Sequence, residues 1–77
     1  MQQTTSIKPE SVIQVDSKIM GGTPCFKGTR VPVQNLFDFM EAGDPLSDFL
    51  DAFPTVSKEQ AVAVLQLAEQ SVIGLVA

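Results

Sequence analysis

The ionisable side chains of this 77-residue chain are few: Lys8, Lys18, Lys27, Arg30 and Lys58, nine carboxylates, one cysteine and no histidine. Without imidazole there is no general base of the usual kind, no Cys/His zinc site and no His-based triad. Cys25 has no second cysteine to pair with and no base to activate it. It reads as a small buried hydrophobe in a reducing compartment. Asp44, Asp48 and Asp51 fall near one face of a helix. Hard-cation sites usually recruit more oxygens than that, so these three read as a solvated acidic face. No metal, no cofactor and no catalytic residue is expected. The chain reads as a binding protein rather than an enzyme.

The stretch over 21–33, GGTPCFKGTRVPV, concentrates glycine, proline, Lys27 and Arg30. It is not a phosphate-cradling P-loop. That motif needs Gly-Lys-Ser/Thr opening a helix, and here the order is Lys27-Gly28-Thr29 followed by Arg30-Val31-Pro32. Lys27 is placed at a solvated turn tip, where its functional role would be a phosphate contact. Thr29 is expected to bond nearby backbone. Arg30 keeps two readings. Its fork either contacts a DNA phosphate or a partner's carboxylate, or it ties the turn by bonding backbone carbonyls or an acid such as Asp38.

Further along, Lys58, Gln66 and Gln70 lie on the outward side of the last predicted helix. The two glutamines could read adenine edges in a major groove. Lys27, Arg30, Lys58, Gln66 and Gln70 are therefore the DNA-contact candidates. Glu59 and Glu69 on the same helix oppose that use. With five basic residues a monomer would bind DNA weakly, and a dimer or a basic partner would have to add contacts.

The elements that carry these residues follow from pattern. Val12, Ile13 and Val15 read as a short strand, and Pro24, Cys25 and Phe26 as a second extended piece. Gly21, Gly22 and Gly28 supply tight turns between and after them. Three helices follow. The first spans 32–42, with Pro32 in its first turn, Val33, Leu36, Phe37 and Met40 on one face, and Gly43 as its C-terminal cap. Asp44 is expected to cap the second, with Pro45 at its first position, a stripe of Leu46, Phe49, Leu50 and Phe53, and Pro54 as its stop. Ser57 and Gln60 form a capping box for the third, whose stripe is Ala61, Val64, Leu65 and Ala68. That helix is expected to reach residue 70 or 72, with Gly74 ending it. A short second helix, a tight turn and a longer third match the helix-turn-helix plan.

The domain layout is a flexible N-terminus over 1–11, one domain over 12–73 and a tail over 74–77. The tail region, SVIGLVA over 71–77, either lies back on the core or pairs as a strand with a partner. Phe39 and Val62 fall off the core stripes. With Val72, Ile73, Leu75 and Val76 they are the candidates for a partner interface.

Composition agrees with a covered surface. Hydrophobic residues make up 44% and charged residues 18% of the chain. The charged share is below the usual figure of about 25%. So small a chain buries only about 60% of its unfolded surface alone, which favours a second subunit. The bases cluster before residue 31 and the acids after residue 37, giving a positive first half and an acidic second half. The first half suits phosphates and the second a basic protein, or the charges simply form a solubilising surface. No apolar run approaches 18 residues, and the N-terminus lacks the pattern of a signal peptide, so a cytoplasmic protein is expected.

The Gly-Thr-Arg turn and its flanks carry a resemblance. Gly22, Pro24, Gly28, Thr29, Arg30 and Pro32, followed by Ala42-Gly43, Phe53-Pro54 and Ser57, resemble the small bacterial domain-of-unknown-function family 433. The similarity covers about 12–68. It implies a mainly α, three-helix, homeodomain-like helix-turn-helix with short N-terminal β strands. It also implies a protein like the VapB-type antitoxins, which dimerise, bind their own promoter DNA and block a PIN-like ribonuclease toxin. The resemblance brings no catalytic residues with it. The alternative is a protein-only adaptor or structural dimerisation module.

Overall fold

The computed structural model describes residues 7–76. Part of the expected flexible N-terminus, residues 1–6, and the last tail residue lie outside the described residues. Strand β1 (Ile13–Gln14) pairs antiparallel with β2 (Cys25–Phe26), setting Ile13 opposite Phe26 and Gln14 opposite Cys25. Helices α1 (Gln34–Glu41), α2 (Leu46–Ala52) and α3 (Lys58–Val76) follow. Single 3-10 turns occupy Pro9–Ser11 and Met20–Gly22. The architecture is mainly α, three helices with short N-terminal strands.

So short a hairpin cannot stand alone, and the structure explains how it holds. Residues 24–26 are bonded on both sides. Lys27 N donates to Val12 O at 2.8 Å on the β1 side. On the other side Phe26 N donates to Val31 O at 3.0 Å and Val33 N to Pro24 O at 2.9 Å. Cys25 and Phe26 are both fully buried, so the strand is anchored by apolar burial on both faces. The Cys25 thiol is free and buried, as its reading as a hydrophobe requires.

Phe26 joins Val33, Leu36, Phe49, Val56, Ala61 and Val64 in one core. Phe49 is its centre. Its ring centroid lies 5.8 Å from that of Phe26, 5.6 Å from Phe39 and 5.2 Å from Phe53. Phe39 also meets Phe53 at 6.0 Å, edge to face. Tilted and edge-on pairs at these distances suit the ring quadrupoles.

The helix ends show where local pattern held and where it shifted. Gly43, at φ 85°, donates to Met40 O while Asp44 N donates to Phe39 O, both at 3.0 Å. This is the Schellman arrangement expected of a C-terminal glycine. It commits Asp44 to closing α1, so Pro45, with ψ 155°, takes the cap position of α2 in place of Asp44. Pro32 lies outside α1 as well. It bridges to Cys25, and the helix starts at Gln34. The Ser57–Gln60 box forms in both directions, each bond 3.0 Å.

The largest departure is the end of α3, which runs through Gly74 to Val76. Gly74 does not stop it, and residues 71–76 neither fold back on the core nor form a strand. Gly74 lacks a left-handed φ, and a Cβ built there meets nothing within 4 Å. Gly74→Ala is therefore expected to stabilise the helix, by less than the about 0.8–1 kcal/mol of an interior position because the last turn frays. Thermal melting with helical circular dichroism checks this, and a destabilised variant would place a chain break at Gly74.

Candidate functional site

Two features stand apart from the core: the Gly-Thr-Arg turn with the cleft beside it, and the free end of α3.

The turn is built by side chains as much as by backbone. Gly28, at φ 79°, lets the chain reverse. The Thr29 hydroxyl donates to Phe26 O at 2.9 Å and accepts from Val31 N at 3.0 Å. Gln14, across from it on β1, donates through Nε2 to Thr29 O at 3.1 Å and accepts from Gly28 N at 3.3 Å. Gln60 then joins the turn to α3. Its Oε1 closes the capping box while its Nε2 donates to Lys27 O at 2.9 Å. One side chain thus caps α3 and pins the turn to it.

This pinning places Lys27 at the N-terminal end of α3, the end that carries Lys58. Lys27 is exposed, as a turn tip should be, and its Nζ donates to Glu10 O at 3.1 Å. Arg30 is exposed, and none of the bonds that hold the turn uses its guanidinium. The structural role weighed for it falls to Gln14 and Thr29 instead. Asp38, its expected acidic partner, accepts from Gln34 Nε2 at 3.0 Å along α1. Arg30 lines a cleft of about 620 Å³ with Gln14, Ile19, Thr29, Val31 and Thr55. Of these, Gln14, Ile19 and Thr55 carry no local sequence signal, because the fold alone brings them to the turn. Gln60 was legible as a cap but not as a strut.

Gln66 and Gln70 are exposed on α3, with Glu69 exposed between them. Gln70 lies twelve residues beyond Lys58, roughly 18 Å along the axis. The DNA-contact candidates therefore divide into Lys27 and Lys58 at one end of α3, Arg30 in the cleft beside the turn, and a glutamine pair further along the helix. Among the described residues, no three Cys, Asp or Glu side chains come together as metal ligands.

At the far end of α3 the apolar side chains stand in water. Val72 is 58% exposed, Ile73 56%, Leu75 84% and Val76 80%. The other two interface candidates are placed differently. Val62 is half-buried, and Phe39 is half-buried with its ring packed against Phe49 and Phe53, so it serves the core. The reason is the short α1–α2 connection, which folds α2 over the side of α1 that carries Phe39. No helix is long and apolar enough to cross a membrane among the described residues.

A three-helix domain with a paired N-terminal hairpin and a Gly-Thr-Arg turn pinned to its last helix is the class these features define. The family described as "Protein of unknown function (DUF433)" matches residues 13–68, and the chain belongs to it. The crystal structure of a DUF433 member protein from Anabaena variabilis ATCC 29413 superposes with a TM-score of 0.64 at 29% identity, covering 75% of this chain and 57% of that one. The uncharacterized protein y4eO of Sinorhizobium fredii is 35% identical over 49 residues, which is 64% of this chain. This chain spans 22% of the length of that relative.

Proposed function

We propose that the chain is a non-catalytic, antitoxin-like protein of the cytoplasm that self-associates and binds a PIN-like ribonuclease toxin through the end of α3. The observation that supports this reading most is the exposure of Val72, Ile73, Leu75 and Val76 on the last turns of α3. Two turns rich in β-branched residues, with no core beneath them, have little helical stability of their own. A partner that buried them would supply it. In this reading α2 and α3 act as the helix-turn-helix, and Lys27, Arg30, Lys58, Gln66 and Gln70 contact promoter DNA.

The alternative is a protein-only adaptor. It is favoured by Glu59 and Glu69, exposed on α3 beside the DNA-contact candidates. Both would repel a phosphate backbone. A mobility-shift titration of the full chain on its upstream DNA at two salt concentrations separates the readings. The repressor role predicts a complex that weakens steeply with salt. No shift, with or without the toxin, leaves the adaptor.

A further inference from the structure

We propose that the cleft at Arg30 is a binding site for an aliphatic carboxylate. This goes beyond the antitoxin reading and does not depend on the end of α3.

The first ground is that the turn is complete without Arg30. Phe26 O, Thr29 O and the amides of Gly28 and Val31 all have partners, supplied by the turn itself and by Gln14. Removing the guanidinium would leave each of those bonds in place. Arg30 is instead the one charged residue lining the cleft, and no carboxylate lines it. A planar fork of donors facing an open cleft matches a carboxylate in two-point contact.

The second ground is the wall. Ile19 and Val31 line the same cleft. Ile19 is itself extended, and the tight turn that follows it fixes its place in the wall. Its N–H donates to Asp16 O at 2.8 Å. The three residues after it, Met20, Gly21 and Gly22, all have positive φ, at 52°, 64° and 89°. Met20 is the only non-glycine residue of the described chain with positive φ. A left-handed conformation is unfavourable for a residue with a side chain. Strain of this kind gathers where a side chain must be held for binding.

One cation and two aliphatic walls select the ligand. Lys27 and Lys58 do not line the cleft, so a ligand seated inside it meets Arg30 alone, whereas a nucleic acid backbone running past all three cations would lie outside it. A carboxylate on a short branched hydrocarbon satisfies both parts at once. Its source is either a free short-chain acid or an acidic side chain beside an aliphatic residue in a protein.

The test is a nuclear magnetic resonance titration of the 15N-labelled full chain with isovalerate, acetate, inorganic phosphate and the peptide acetyl-Leu-Glu-amide. The expected result is saturable shifts at Gly28, Thr29, Val31, Thr55 and the Arg30 Nε–H with isovalerate. Acetate should bind about tenfold more weakly, having lost the hydrocarbon contact. Arg30→Gln should abolish the shifts at an unchanged melting temperature, because the turn does not need the guanidinium. Arg30→Lys should weaken binding without abolishing it. A peptide that outcompetes isovalerate assigns a protein source, and the reverse order assigns a free acid. Three results would overturn the proposal: no saturable shift with isovalerate or peptide, equal binding by Arg30→Gln, or phosphate binding as well as isovalerate.

Discussion

Phe49→Ala is expected to leave the chain at most marginally stable at 25 °C. The Phe49 ring is fully buried and packs directly on Phe26, Phe39 and Phe53. It therefore joins β2, α1 and the end of α2 in a single contact. Deleting a buried phenyl ring costs about 3–5 kcal/mol, the transfer energy together with the cavity. Domains hold about 5–15 kcal/mol in all, and a chain this short sits toward the low end. Far-ultraviolet circular dichroism should show a melting transition shifted to much lower temperature, with part of the helical signal already lost at 25 °C. A variant within about 1 kcal/mol of the parent would mean that the hairpin and helices do not share one core.

The second large effect is on binding and not on stability. Replacing Val72, Leu75 and Val76 together by glutamine should change the melting temperature little, because these side chains are mostly exposed. Exposed substitutions of this kind usually stay within about 0.5 kcal/mol each. Affinity for the proposed toxin should fall by at least about 30-fold, the equivalent of one anchor of about 2 kcal/mol. A thermal melt of the parent and the variant checks the first half, and titration calorimetry checks the second. An unchanged affinity would move the docking surface elsewhere.

Local chemistry was legible in the sequence, and long-range contact was not. The Ser57–Gln60 box, the Gly43 cap and the stripes through Leu36, Phe49 and Val64 follow from spacing, since each involves residues within one or two turns. Thr29 bonded its neighbours as its position in a turn suggests. Asp44 misled because two motifs compete for it, and closing the Gly43 cap displaced its role at α2. Gly74 misled because low helix propensity is a small cost inside a helix already under way. Phe39 reads as outward-facing along α1, and only the packing of α2 shows that it is covered. Val56 is buried although it stands in the turn before Ser57. Nothing near Gln14, Ile19 or Thr55 in the chain indicates that they meet at Arg30. Lys27 and Lys58 were each recognisable, but their placement at the same end of α3 depends on the single bond from Gln60 to Lys27.

The most direct measurement is co-expression of the full chain with each protein encoded beside its gene, read by co-purification and by ribonuclease activity. The account predicts that one neighbour is a PIN-like ribonuclease, that it co-purifies with the chain in a silenced state, and that the Val72, Leu75 and Val76 replacements release it active. A chain that forms no complex with any neighbour, or one whose complex survives those replacements intact, would contradict it.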